Sequence, residues 1–488
     1  MISRHHTRAK ILATLGPASA GPGKIRDLVR SGVDGFRINL SHGDPEERLL
    51  WVERIKRVRS EMNRAVAILL DLRGPRLRLG PLPEPIELKP RTEVWLNSGI
   101  GGPEGSIPVD YPKFASDLAP GHRVLLRDGR AKLKVLEIQG SRVRCRVQHG
   151  AWIHSNQGVN LPDSSVSAPI LSAKDKEDIA FAAKHQVDFL ALSFVRRAED
   201  VETLRRELLK HEVFIPIIAK IEHPEALKNL DQILEATDGV MVARGDLAVE
   251  MGHEAVPTAQ KKIIRRCMER AVPVITATQM LESMIEDPQP TRAEVSDVAN
   301  AVLDGTDAVM LSGETAVGAH PLEAVRIMHR IVSKTEQQIF RGPRRRQLAR
   351  GCVPLTGSSV EMATVNAAAT AAVQSQARMI LAFTESGRSA RLVSSFRAGQ
   401  HLFGLTSKEK AFHRMALIWG VHPALTRSFA SATDMYQAAA ETLATVKWLK
   451  PTDLLVSLTG TFAVSGTSNT VRILTLSNLA TAADTKAS

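Results

Sequence analysis

Short runs rich in Val, Ile, Leu and Ala recur along the chain; each stops at a polar or glycine-containing corner and is followed by helical periodicity. There are eight of them: KILATLGP (10–17), GFRINLSHG (35–43), AVAILLDLRGP (65–75), FLALSF (189–194), IPIIAKIE (215–222), GVMVARGD (239–246), VPVITATQM (272–280) and AVMLSGET (308–315). Continuously apolar strands are buried on both faces, so their alternation with helices predicts a parallel sheet covered on both sides. Eight units predict an α/β fold, a closed (β/α)8 (TIM) barrel with its site at the C-terminal strand ends.

Polar residues fall at those ends: Thr14; Arg37 with Asn39, Ser41 and His42; Asp71 with Arg73; Ser193; Lys220 with Glu222; Arg244 with Asp246; Thr278; Ser312 with Glu314. A single polar residue at such a place is ordinarily a turn or a helix cap. A polar group at every end, made neighbours by a barrel, reads as a site.

Between about Pro75 and Pro169 the alternation gives way to antiparallel hairpin signals, with Asp-Gly and Gln-Gly-Ser corners between alternating runs. This predicts a small β-barrel lid domain (75–169) inserted into a catalytic barrel made of 1–74 and 170–340. A lid over a barrel mouth excludes water during transfer. A basic run, Arg341 to Arg346, reads as a linker to a C-terminal α/β domain (350–488). There the strand MILAF is followed by TESGRSA, a glycine-containing turn before a helix, an arrangement that cradles phosphate or simply caps the helix.

Length and composition narrow the classes. A chain of 488 residues exceeds one ordinary core, and 43% apolar with 24% charged residues is globular. No apolar run spans a bilayer, and the basic N-terminus lacks a signal-peptide core. Three cysteines, Cys145, Cys267 and Cys352, make no disulfide framework, which fits a cytoplasmic setting. The net charge of +12 suits phosphorylated small molecules; with only 4% aromatic residues there are few platforms for bases, so nucleic acid is not expected as a partner.

The chemistry concentrates at two strand ends. Period two puts Lys220 and Glu222 on one side, and Asp246 ends the next strand. Two carboxylates on adjacent strands hold a hard cation such as Mg²⁺ that keeps waters and takes substrate oxygens, with Lys220 in reach of a phosphoryl group; the bland alternative is an internal salt-bridge network, costly to bury. Gly245 allows close backbone approach to a substrate carboxylate. Thr278 either orders a proton path or bonds backbone. Arg37 can clamp phosphate bidentately, and His42 either contacts phosphate or ribose or caps its loop.

Taken together, KILATLGPAS, RINLSHG, LDLRGP, GVNLP (158–162), AKIE, MVARGDL, TATQMLESM, PTRAEVSDVANAVLDGTDAVMLSGETAVGAHPLEAV and TESGRSA resemble the pyruvate kinase family along nearly the whole chain. The resemblance implies phosphoryl transfer from phosphoenolpyruvate to ADP, giving pyruvate and ATP. In that reading Lys220 steadies the phosphoryl group in flight and Arg37 contacts it. Glu222 and Asp246 bind Mg²⁺ (or Mn²⁺), and Gly245, Asp246 and Thr278 receive the pyruvate end. Thr14, Asn39, His42 and Arg78 lie toward the nucleotide. Thr384, Ser386, Gly387, Arg388 and Ser389 bind a phosphorylated effector, with Glu385 facing away, and the family suggests a homotetramer.

Three departures stand out: Gln157 where a lysine is common, Ala248 where a glycine is usual, and the segment around Leu72, Arg73 and Arg76. In many family members Asn39, Ser41, Asp71 and the Leu72 carbonyl would hold K⁺, with glutamate at the position of Arg76. Here the expectation is that Arg76 replaces the ion, so that K⁺ is not required, or that it pairs with Asp71 and leaves the site idle; the bland alternative is an exposed hinge arginine. The rival enzyme reading is a lyase or aldolase working through a metal enolate of pyruvate, separated by its indifference to ADP. A non-catalytic binding protein is opposed by the intact Lys220, Glu222, Asp246 and Thr278.

Overall fold

The computed structural model describes residues 7–341, 360–460 and 468–479. Each of the eight apolar runs contains a barrel strand: Lys10–Thr14, Gly35–Asn39, Ala67–Asp71, Phe189–Leu192, Ile217–Ile221, Gly239–Ala243, Val274–Ala277 and Ala308–Leu311. All are parallel, and the ring closes between the first and last, with Lys10 opposite Ala308. The strands are shorter than the runs because each yields its ladder at the polar corner. Helix boundaries follow local chemistry: Thr291 and Glu294 form a capping box before Arg292–Asp304, and Gly305 ends that helix at φ +100°.

Between Asp71 and Phe189 the chain builds a six-stranded sheet, in the order 159–160, 123–126, 131–139, 142–149, 93–98 and 106–109. The Asp-Gly and Gln-Gly-Ser corners are the turns between the second, third and fourth of these. One short segment joins the two edges. Leu79 N–H donates to Gln157 at 2.8 Å on one side, and Gly80 N–H donates to Pro108 at 2.8 Å on the other. Thus 77–80 closes the sheet into a small barrel around Phe114, Leu96, Val124 and Leu133.

In the C-terminal region four parallel strands and one antiparallel strand run in the order 421–425, 401–406, 379–383, 454–460, 468–475. This unit docks on the N-terminal end of the large barrel. Ala416 and Leu417 join the barrel's inner cluster with Leu12, Ala67 and Met310. Lys10 Nζ donates to the Val421 carbonyl at 2.8 Å, and Val66 N–H donates to His413 Nδ1 at 3.3 Å. The opposite end stays open to the lid. Cys145 and Cys267 are buried and unpaired. Cys352 and nearly all of the basic run after Arg341 lie outside the described residues. Among those described, no helix is long and apolar enough to cross a membrane.

Candidate active site

Lys220 projects from the fifth strand into the barrel mouth, only 9% exposed. Its Nζ lies 3.2 Å from Asp71 Oδ1, 3.0 Å from Glu222 Oε1 and 2.7 Å from Ser193 Oγ. Asp71 is a shared counter-ion, since its Oδ2 accepts from Arg37 Nε and Nη2, each at 2.7 Å. Burial works against an ionised Asp71, but Lys220 and Arg37 outweigh it and hold its pKa below the usual carboxylate range. For Lys220, burial likewise opposes charge; Asp71 and Glu222 prevail and hold its pKa above the ordinary lysine value.

Glu222 behaves oppositely. Burial pushes its pKa up to about 7, with Lys220 opposing and the Asp246 charge adding to the rise. Its Oε2 accepts the Phe194 N–H at 2.7 Å, and Phe194 adopts φ +57° to present that group. Asp246, half-buried, sits in the first turn of the helix Arg244–Met251. The donor set fits a divalent ion: two hard carboxylates face the cleft, one of them buried without full compensation. Among the described residues no cluster of three or more metal-ligating side chains occurs, so Glu222 and Asp246 would hold such an ion as a pair.

Arg37, Asn39, Ser41, His42, Asp71, Leu72, Arg76, Arg78, Lys220, Glu222 and Asp246, all singled out from the sequence, line one cleft of about 360 Å³. Ser193, Phe194, Arg73 and the lid residue Asn156 complete it. Thr14 is not at this surface. It is buried, accepting from Arg37 Nη1 at 3.2 Å and donating to the Leu311 carbonyl at 2.9 Å, and so it positions the arginine. Thr278 meets the backbone just before Asp246. Its Oγ1 accepts the Gly245 N–H at 3.0 Å and donates to Ala277 at 2.7 Å, the backbone-bonding alternative.

Thr278 is also strained. It takes φ +66° and Gln279 takes φ +53°, uncommon for non-glycine residues and more so for a β-branched one. Arg244 enforces this turn: its Nε donates to the Thr278 carbonyl at 3.1 Å while Nη1 pairs with Asp297 at 2.6 Å. Gly74 at φ +69° turns the chain out of the third strand toward the lid, and a Cβ there would stand 3.0 Å from Ser193 Cβ.

Arg76 is exposed at the cleft rim and does not make the expected pair with Asp71. Its Nη2 pairs with Asp128 of the lid turn at 2.6 Å, not with Asp71. The turn 127–129 places Asp128 there through three consecutive left-handed residues, and Gly158 leaves room for the pair, which lies 3.2–3.5 Å from where its Cβ would be. Asp71 meanwhile has both oxygens committed. Arg78 Nη1 donates to the Asn156 carbonyl at 2.7 Å. Gln157 turns inward on its own loop, accepting His154 N–H at 3.0 Å.

At the C-terminal turn, Thr384 Oγ1 accepts Gly387 N–H at 2.9 Å, and Glu385 and Ser386 are both exposed. Ser389 is instead buried, its hydroxyl 2.8 Å from that of Ser468, and Arg388 forks onto Glu361 at 3.0–3.2 Å. Sequence reading missed the partners Asp128, Asn156, Phe194 and Glu361; each is brought in by chain distant from the residue it meets.

The family model described as pyruvate kinase, barrel domain, matches residues 6–325, and that described as pyruvate kinase, alpha/beta domain, matches 362–474. A pyruvate kinase of Clostridium acetobutylicum is 37% identical over 475 residues, covering 96% of this chain and 99% of that one. One from Mycobacterium tuberculosis is 40% identical over 456 residues, covering 93% and 95%. The crystal structure of a pyruvate kinase from Cryptosporidium parvum superimposes with a TM-score of 0.91 at 33% identity, covering 96% of each chain. The chain therefore belongs to the pyruvate kinase family.

Proposed function

We propose that the protein transfers the phosphoryl group of phosphoenolpyruvate to ADP, giving pyruvate and ATP as the last step of glycolysis in the cytoplasm. The observation that carries this reading is Lys220, held between Asp71, Glu222 and Ser193 at the base of a cleft that also contains Arg37 and the Glu222–Asp246 pair. Phosphoryl transfer is mostly positioning and charge neutralisation. Lys220 and Arg37 meet the phosphoryl oxygens from fixed positions, and the helix opening at Gly245–Asp246 receives the substrate carboxylate, the Gly245 N–H exchanging its bond to Thr278 Oγ1 for the incoming anion. Glu222 and Asp246 would hold Mg²⁺ (or Mn²⁺), which would supply charge neutralisation for the substrate oxygens. The lid over 75–169, hinged on a barrel of 1–74 and 170–340, closes the nucleotide side. Pyruvate formation from phosphoenolpyruvate, measured with and without ADP and Mg²⁺, tests the reading; ADP-independent turnover would favour the lyase alternative.

Independence from K⁺ belongs to the same reading. The support is that Asp71, the carboxylate a monovalent ion would need, is already neutralised by two cations, while Leu72 is buried. Arg76 lines the cleft rim but is not the group that neutralises Asp71. A phosphorylated effector is proposed at Thr384, Ser386, Gly387 and Arg388 in the 350–488 unit, with Arg388 released from Glu361 on binding. A homotetramer is proposed from family membership, to be tested by light scattering.

A further inference from the structure

The helix Arg244–Met251 meets the reacting site at one end and the lid at the other. Asp246 lies in its first turn at the cleft. One turn on, Glu250 is only 3% exposed, and its Oε1 accepts the Asn160 Nδ2–H at 2.7 Å. Asn160 belongs to the short lid strand Val159–Asn160. Beside Glu250, Val249 stands 3.6 Å from where a Cβ on Gly129 of the lid turn would lie.

A second segment converges on the same place. His223 follows Glu222, and its Nδ1 accepts the Glu225 N–H at 3.1 Å, which leaves the ring proton on Nε2. Nε2 faces the Leu161 carbonyl at 3.5 Å and Glu250 Oε2 at 3.8 Å. Between them is a cavity of about 50 Å³. Both carboxylate-bearing segments of the site, Glu222–His223 and Asp246–Glu250, therefore end on Asn160 and Leu161 of the lid. The chemistry above does not use Glu250. Its Oε2 has no hydrogen-bond partner, and a buried carboxylate left so is costly to keep for packing alone.

We infer that Glu250 is a positioning residue that anchors the lid over the cleft through Asn160 and sets the lid's place relative to Asp246. This rests on the phosphoryl-transfer reading. The lid supplies Asn156 to the cleft wall, so loosening the anchor weakens binding of ADP and leaves the Lys220 constellation intact. Because the link is a hydrogen bond, it can be broken and rebuilt with its roles reversed.

Asn160→Asp sets a carboxylate against Glu250; adding Glu250→Gln restores a donor facing an acceptor. The single variant should raise the KM for ADP at least tenfold with kcat falling less than threefold, and the double variant should return KM to within threefold of the parent enzyme. The inference is overturned if the single variant leaves KM unchanged, if kcat falls at constant KM, or if the second substitution gives no rescue. Should Asn160→Asp fail to fold, Asn160→Ala, Glu250→Ala and their combination read the same coupling: a double variant no worse than the worse single supports the anchor, and multiplying effects overturn it. Absence of ADP-dependent pyruvate formation in the parent enzyme would overturn the activity itself, a separate outcome.

Discussion

Replacing Lys220 with methionine removes one positive charge from a site that otherwise keeps its shape. Asp71 remains held by Arg37 through two nitrogens, and Ser193 keeps its 2.8 Å bond to the Leu72 carbonyl. The stem of methionine fills the lysine's volume, so the change is electrostatic. A unit charge about 4 Å from developing negative charge contributes ~4 kcal/mol at an effective dielectric near 20, which is about a 10³-fold effect on rate. Cations fixed on a transferring phosphoryl group are worth roughly 10³- to 10⁵-fold in comparable reactions, so turnover should fall within that range. The assay is pyruvate release at saturating phosphoenolpyruvate and ADP. In parallel, proton exchange at C3 of pyruvate reports the carboxylate pair without requiring transfer, and it should persist far better. Turnover within tenfold of the parent enzyme would refute the assignment. Equal loss of transfer and exchange would show instead that the substitution had collapsed the site.

Other consequences can be checked independently. Gly74→Ala forces a left-handed alanine against Ser193, so stability should drop by about 1–3 kcal/mol in denaturant titration, with turnover reduced more than tenfold because Ser193 holds Lys220. Burial, with Arg59 adding, pushes His413 down to about 3, so its stabilising neutral form is fully effective above the unfolded value near 6.5 and is lost progressively as pH falls toward 3. At pH 5 this amounts to about 2 kcal/mol, and His413→Gln should flatten the fall in melting temperature between pH 7.5 and 5. Activity in tetramethylammonium buffer should rise less than tenfold on adding KCl at constant ionic strength; a larger activation would refute K⁺ independence. Ser386→Ala with Arg388→Ala should shift activation curves for phosphorylated metabolites, and unchanged curves would leave the turn a helix cap.

The barrel was legible because its signal is local. Each strand is a continuous apolar run ending in a polar corner, and parallel strands buried on both faces leave that mark without knowledge of their partners. The lid's hairpins were legible for the same reason, since Asp128–Gly129 and Gly140 lie within the turns they make. What escaped depended on long separations. Arg76 finds Asp128 across 52 residues and Asn160 finds Glu250 across 90, and no spacing rule joins them. The partners of Thr14 escaped for a subtler reason: strand-end position is readable, but not that its hydroxyl would bond Arg37 and the Leu311 carbonyl.

The two buried carboxylates beside Lys220 differ in a way that assigns their roles. Asp71 is buried but touches both a lysine and an arginine, and its pKa moves down; Glu222 is buried with only the same lysine to offset it and Asp246 adding to the rise, and its pKa moves up. Opposite shifts in neighbouring acids mark distinct functions. Asp71 is the permanent counter-ion that lets Arg37 and Lys220 stand charged and fixed before any anion arrives, so little reorganisation remains at the moment of transfer. Glu222 has one hydrogen bond from Phe194 and one partly shared cation, too little for a fully buried charge. In the proposed reading, a divalent ion held with Asp246 would stabilise its ionised form and would tie assembly of the reactive site to metal binding. Arg37→Leu strips Asp71 of half its compensation, so phosphoenolpyruvate affinity should fall by more than the loss of one phosphate contact, and titration of the KM against pH should show a new dependence in the acid range. A KM increase with an unchanged pH profile would mean that Lys220 alone suffices to keep Asp71 ionised.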